Sequence, residues 1–484
     1  MDPQRNGRIW FVVLAFLVVG AGTRFYQIGW SVSGDHTTTF TETKSLTEKP
    51  FFLPVLERDD VQARTLPVSY GLQALAFKVF GTDEAQSRYG SALAGTLSIG
   101  LTVLIVSRLY GLTSGIIAGI TLVLWPWLLY HSQDNRHYSY AFLFASLAIL
   151  SATAAWQRDS LVWGILGGLF SALAFLSHSI TAVVPAGLLL FLVVEVIVKR
   201  SPVQRRALGG YIATGAPLMI TSCALGIWAF GSWVGFAAAA GWGRSPHLLG
   251  LAYNLTWGVT LLSLLGGLLS WRSKDACERM WTSIAVMSVA ACVIVPLITA
   301  FRPDYVFPAS LVFYLLAARV LAKAYESLKE QSRLLAAGLV GVVVAFPLPS
   351  VASYYQDGDR CDYRSAAKFI KNERHDGDII AADIPGALGY YLDGPVVNAS
   401  NLSREPQKSM PVLQGLVESG GRVWYVCQFS RNEIPTVPDR WLWKNGVRMI
   451  RIKKKRFDYT EHALDVYLLN PTIQDKERLE KEAP

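Results

Sequence analysis

Charge is what this sequence has least of. Only 17% of its 484 residues are Asp, Glu, Lys or Arg, where a soluble chain of this size carries about a quarter, so a largely water-facing surface is excluded. Cysteine is scarce too. The five cysteines show no CxxC pair and no accompanying His-rich spacing, which excludes a sequence-encoded metal cluster. Cys223 and Cys292 fall in apolar runs and Cys277 in a short basic loop, while Cys361 and Cys427 lie in the polar C-terminal region, where an oxidising compartment would let them pair. Neither a solenoid-type repeat nor a low-complexity tract is present. The net charge of +9 would raise nucleic acid for a soluble protein, but basic loops facing anionic lipid headgroups account for it here, and no nucleic-acid partner is expected.

What is there in abundance is apolar sequence, 52% of the chain, in blocks long enough to cross a bilayer. Runs of roughly 18 to 23 apolar residues give about eleven spans, near residues 9–30, 88–108, 112–131, 138–156, 161–177, 180–198, 207–229, 249–271, 280–300, 305–322 and 333–352. The first follows Arg5 and Arg8 like a signal peptide, yet it has no small-residue cleavage site and reads as a retained span. Arg5/Arg8, Arg158, Lys199/Arg200/Arg205/Arg206, Arg272/Lys274/Arg279 and Lys323/Lys329/Arg333 mark alternate loops as cytoplasmic. The N-terminus is then inside and the C-terminus outside.

Residues 1–352 therefore read as a membrane module, with a long extracytoplasmic loop over 31–87. Within that loop, 66–80 has helical spacing and few charges, which predicts an interfacial helix. Residues 353–484 lose the spanning runs. Short β-prone pieces at 378–381 and 423–426 alternate with a helix-like stretch at 364–373, predicting a small extracytoplasmic α/β domain.

The unusual polar residues of the membrane half fall on the outer side. Asp35 and His36 follow the first span, and His131 to Tyr138 join the third and fourth. His178 sits between the fifth and sixth, Arg244 and His247 between the seventh and eighth, and Arg302 and Tyr305 at the turn before the tenth. Arg64, Arg136, Arg244 and Arg302 run against the positive-inside bias. Singly, each reads as an arginine snorkelling to headgroups; as a group they suit a phosphate at the membrane surface. Asp35 is the leading candidate for a general base, against the reading of a solvated turn aspartate. Asp59, Asp60 and Asp134 are further carboxylates. The histidines show no i, i+4 ligand spacing with a carboxylate, and singly they read as hydrogen-bonded polar residues. No cofactor is certain from the sequence. Asp35 and His36 are the candidates to hold a divalent metal ion, should one be used.

These residues resemble the GT-C membrane glycosyltransferases of the protein-mannosyltransferase and aminoarabinose-transferase type. Asp35 occupies the place of that family's acidic motif after the first span. Thr65–Tyr70 followed by Phe80-Gly81 resembles its Pro-Pro-Leu-Tyr-Tyr segment leading to Phe-Gly, Arg88–Gly95 its Arg-x-x-Ser-Ala-Leu-x-Gly stretch, and Ser132–Ser139 its Ser-Gln-x-x-Arg-x-Tyr-Ser turn. Arg302–Pro308 is similar to its Arg-Tyr-x-x-x-x-Pro element. His36 stands where a second acid is usual, and only Pro67 remains of the Pro-Pro pair.

The resemblance implies a polytopic α-helical GT-C fold with a C-terminal extracytoplasmic α/β domain. It also implies sugar transfer from a polyprenyl-phosphate donor to a lipid, polysaccharide or protein hydroxyl by inverting displacement. Asp35 would be the base, and Arg136, Tyr138, Arg244, Arg302 and Tyr305 would bind the donor phosphate. His36, Arg64, Arg88 and His178 are further site candidates, Arg88 equally suited to anchoring the long loop. Short loops and tails favour a bacterial inner membrane. A transporter or flippase for a lipid-linked sugar is the rival reading, but it predicts polar residues through the bilayer, and the spans are nearly clean apart from Glu195. A non-catalytic scaffold is the third, supported by the missing second acid.

Overall fold

In the computed structural model, the described residues are 3–31, 40, 43–44, 46–47, 67–198, 203–230, 248–298, 303–357, 361–399, 406–430, 441–442, 444–455 and 461–472. The chain forms two compact units. One comprises Met1–Ile28 and Glu42–Val351, the other Gly29–Thr41 and Ala352–Pro484.

The first unit is helical. In chain order it contains α1 (Pro3–Phe25), α2 (Pro67–Phe80), α3 (Tyr89–Tyr110), α4 (Leu112–Val123), α5 (Pro126–Ser132), α6 (Tyr138–Arg158), α7 (Leu161–Ser177), α8 (Val183–Val193), α9 (Arg205–Phe230), α10 (Leu248–Leu255), α11 (Trp257–Arg272), α12 (Ala276–Ile298), α13 (Leu311–Lys329) and α14 (Arg333–Ala345). Among the described residues, five helical stretches are long and apolar enough to cross a membrane, six with one bent pair. Phe11, Leu268 and Leu334 are 74%, 73% and 86% exposed; apolar exposure on this scale belongs against lipid.

Among the described residues each expected span overlaps helix, although residues 26–30 of the first do not, and several are not single rods. Residues 112–131 form the bent pair α4–α5, turned by 63°. Leu124 and Trp125 interrupt it, and Pro126 opens the second piece at a position where its missing N–H costs nothing. The carbonyls freed at the end of α4 are taken up by Arg24, whose guanidinium donates to Leu122 O at 3.0 Å and Val123 O at 3.3 Å. Residues 249–271 break at Thr256, which has φ of 67°. The span expected at 305–322 begins as a 3-10 turn over Pro303–Ala309, and the run at 333–352 divides between α14 and α15 (Leu348–Asp357).

Close approach near the bend depends on glycine. A Cβ on Gly95 of α3 would collide with the Ser132 side chain at the end of α5, and one on Gly90 with the Tyr140 hydroxyl of α6. Two stretches picked out in the sequence, 88–95 and 132–139, therefore pack against each other. The helix expected over 66–80 is α2. Ser69 Oγ donates to Ser177 O at 2.9 Å, and Gln73 Oε1 accepts from Tyr140 OH at 2.7 Å, tying α2 to α7 and α6.

In the second unit, α16 (Tyr363–Glu373), β1 (Ile379–Ala382), α17 (Pro385–Gly389), β2 (Val397–Asn398), α18 (Pro406–Glu418), β3 (Val423–Ser430), β4 (Gly446–Lys455) and β5 (Glu461–Leu469) follow α15. The sheet order is β2-β1-β3-β5-β4, with β1 parallel to β2 and β3, and β5 antiparallel to both its neighbours. Alternation along β3 sends Trp424 and Val426 into the cluster containing Tyr363 and Ile370 of α16, and Tyr425 into the one containing Leu413 of α18. Cys361 lies in the first cluster and Cys427 in the second, and they form no disulfide. In β5, Asp465 is fully buried and receives both Arg451 Nε at 2.7 Å and Nη2 at 2.6 Å.

Candidate active site at the 131–138 turn

The turn between α5 and α6 is built from polar residues that are nearly all buried. His131, Ser132, Gln133, Asp134 and Asn135 are at most 3% exposed, and His137 is 7% exposed. Local bonds shape it: Ser132 Oγ donates to Leu128 O at 2.5 Å, and Ser139 Oγ to His131 O at 2.8 Å. Gln133 then fastens the turn to the end of α1, its Nε2 donating to Arg24 O at 3.0 Å and Tyr26 O at 2.7 Å. These are carbonyls that a helix terminus leaves unpaired, so one amide satisfies a helix end and fixes the turn.

Around this frame the structure gathers Arg136, Tyr138, His178 and Tyr305 of the expected site. The Arg136 guanidinium lies 5.1 Å from the Tyr138 ring centre. His178 packs 5.3 Å from Tyr138 and 5.7 Å from Tyr305. Two further imidazoles join them. His137 is 4.9 Å from His178, and His131 sits 4.6 Å from Tyr138 and 4.3 Å from Phe307.

His178 caps the end of α7 with extended backbone, and its Nδ1 accepts the Ile180 N–H at 3.3 Å. That bond assigns the ring proton to Nε2. Both ring nitrogens of His137 are buried without a hydrogen-bond partner among the described residues. Burial, reinforced by the Arg136 charge, pushes His178 down to about 3; burial, with His178 and Arg136 beside it, holds His137 well below the usual imidazole value. The cluster therefore combines one permanent cation with neutral imidazoles, a set of donors suited to an incoming anion.

Other expected residues stand apart from it. Arg88 is buried and donates to Ile28 O and Glu84 O, both at 3.0 Å, the anchoring arrangement. Asp134 is buried within the turn. Asp35, His36, Asp59, Asp60, Arg64, Arg244 and Arg302 lie outside the described residues. Among the described residues, no group of three His, Cys, Asp or Glu side chains is arranged to hold a metal ion. The residue missed in the sequence is Arg24, hidden in the last apolar turn of the first span; His137 has no ligand spacing to set it apart from an ordinary hydrogen-bonded histidine.

Residues 64–227, the segment carrying this turn, match the family described as dolichyl-phosphate-mannose-protein mannosyltransferase. No curated protein matches the sequence significantly. Among solved structures, ArnT from Cupriavidus metallidurans in the apo state is 15% identical at a TM-score of 0.56, covering 95% of this chain and 98% of that one. The same protein bound to undecaprenyl phosphate gives 14% and 0.53 over the same shares. The Archaeoglobus fulgidus oligosaccharyltransferase in complex with Zn and sulfate gives 14% and 0.56, covering 86% of this chain and 68% of that one. At these identities the likeness shows the fold, and the match over residues 64–227 is to a glycosyltransferase family. The chain has the GT-C fold of membrane glycosyltransferases. Helical spans and a small C-terminal sheet domain, the fold class expected from sequence, are both present.

Proposed function

We propose that this GT-C enzyme moves a sugar from a polyprenyl-phosphate carrier to an acceptor hydroxyl at the outer face of the membrane, inverting the anomeric carbon. The observation that carries the proposal is Arg136 set over Tyr138 beside the buried His137–His178 pair. As the bond from the anomeric carbon to the phosphate oxygen breaks, its electron pair leaves with the polyprenyl phosphate. Fixed donors in a partly dry site stabilise that growing charge best. Arg136, Tyr138 and Tyr305 would supply them, joined by Arg244 and Arg302 on the strength of the sequence. Asp35 would take the acceptor's proton while the acceptor oxygen bonds to carbon.

The donor class is supported by the ArnT structure bound to undecaprenyl phosphate. The acceptor is a hydroxyl of a lipid, a polysaccharide or a protein. Loop charge supports a cytoplasmic N-terminus and an extracytoplasmic C-terminal domain, and the short loops favour a bacterial inner membrane.

Purified protein incubated with a panel of polyprenyl-phosphate sugars and candidate acceptors, read by mass spectrometry beside Asp35→Asn, tests this. Transfer by wild type alone supports both donor and base. Equal transfer by both proteins removes Asp35 from the role. Unconsumed donors across the panel overturn the donor assignment.

A further inference from the structure

Residues 29–41 belong to the same compact unit as the C-terminal domain. The contacts are specific and occur on both sides of the segment 32–39. Before it, Arg364 Nη2 donates to Gly29 O at 2.8 Å, and the Arg364 backbone N–H donates to Ser31 Oγ at 3.2 Å. The Ser31 hydroxyl also lies 3.3 Å from the Tyr391 hydroxyl, and Trp30 meets Tyr354 edge-on at 6.1 Å. After it, Phe40 meets Tyr390 edge-on at 5.5 Å. Ser31 and Phe40 are 8% and 7% exposed, so both anchors are buried joints. Two neighbouring tyrosines just past α17 thus take hold of the chain on opposite sides of Asp35 and His36.

We propose that the C-terminal sheet domain is the positioning element for the segment that carries Asp35, with Arg364, Tyr390 and Tyr391 as its clamp. The inference rests on the reading of Asp35 as the base. A carboxylate that must meet an acceptor hydroxyl loses rate steeply when displaced by even an ångström. Fixing both ends of a short segment limits the conformations between them. A soluble domain at the end of a membrane enzyme thereby gains a task in the chemistry without contributing a reacting group. Arg364, Tyr390 and Tyr391 are positioning residues, acting through the backbone at Gly29 and the side chains of Ser31 and Phe40.

The full-length protein tests this in two ways. Hydrogen exchange of residues 32–39 should quicken in Arg364→Ala and in Tyr390→Ala while exchange in the membrane helices stays as in wild type. Unchanged exchange in 32–39 overturns the clamp whatever the activity. In the transfer assay, kcat should fall roughly ten- to a hundred-fold in Arg364→Ala with KM for the lipid donor unchanged, and Arg364→Lys should recover part of it. In an Asp35→Asn background, Arg364→Ala should cost nothing further, because the group it positions is gone. A full additional loss there, or a wild-type kcat in the single variant, overturns the positioning role. If wild type transfers no sugar, the proposed function falls, and the exchange measurement still decides the clamp.

Discussion

The membrane unit carries two buried polar clusters, one near each end of α12, and they are built in opposite ways. At the start of α12, Glu195 receives Arg279 through two bonds of 2.5 and 2.9 Å, and Glu278 receives Arg319 at 3.1 Å and Lys323 at 2.7 Å. Each carboxylate there has its cation. Beyond the other end, about 34 Å away along a helix of 23 residues, His131, His137, His178, Arg136, Tyr138 and Tyr305 come together, and the His137 ring nitrogens bond to nothing among the described residues. Burying an unmatched polar group is costly unless something arrives to match it. The completed ion pairs join helices, whereas His137 keeps ring nitrogens that a ligand could meet. Removing a partner should accordingly damage stability at the first cluster and activity at the second.

The largest expected effect is at the ion pairs. Glu195→Ala leaves Arg279 buried without its carboxylate and should cost about 3–5 kcal/mol of stability, visible as a lower melting temperature in detergent with turnover per folded molecule unchanged. Next comes Arg136→Gln. Turnover should drop roughly a hundred- to a thousand-fold, about 3–4 kcal/mol of transition-state stabilisation, while the melting temperature stays near wild type. Equal damage to stability in this variant would erase the contrast between the two clusters.

The third test is pH. The folded value of His178, about 3, lies below the usual imidazole value of about 6.5. Between these values the unfolded chain binds a proton that the folded chain refuses, so this residue's contribution is intact above pH 6.5 and is lost as pH falls towards 3. His178→Asn should flatten the decline in melting temperature across that window. The smallest effect is expected at Ser69→Ala, which removes one hydrogen bond between α2 and the end of α7 and should cost about 1 kcal/mol in a thermal melt.

Much of the architecture was legible because a bilayer imposes its length on helices. The apolar runs located the helices, and loop polarity located the turn at 131–138. The bends were not legible. The break before Pro126 is local, but its seal is Arg24, about a hundred positions earlier, whose carbonyl partners no periodicity reveals. Within the site, Arg136 stood out as a cation against the charge bias. His137 did not, because an imidazole with both nitrogens unmet looks in sequence like one that is hydrogen-bonded. Arg88 had two readings from the start, and its bonds to Ile28 O and Glu84 O answer for anchoring. The clamp on residues 29–41 was invisible for a different reason. Ser31 and Tyr391 are 360 positions apart, and a lone Tyr-Tyr pair in a polar domain carries no pattern.

Arg24 also has a consequence for how the protein is made. Its partners Leu122 O and Val123 O lie 98 and 99 residues downstream, so during synthesis the arginine enters the bilayer long before the elbow that it seals exists. Until α4 arrives, the Arg24 guanidinium has only the neighbouring Thr23 hydroxyl among these partners; until α1 is alongside, Val123 O lacks the donor that it has in the folded chain. Each piece is unfinished without the other. The seal on the elbow can therefore close only once both helices are in place, and that requirement rests on one side chain.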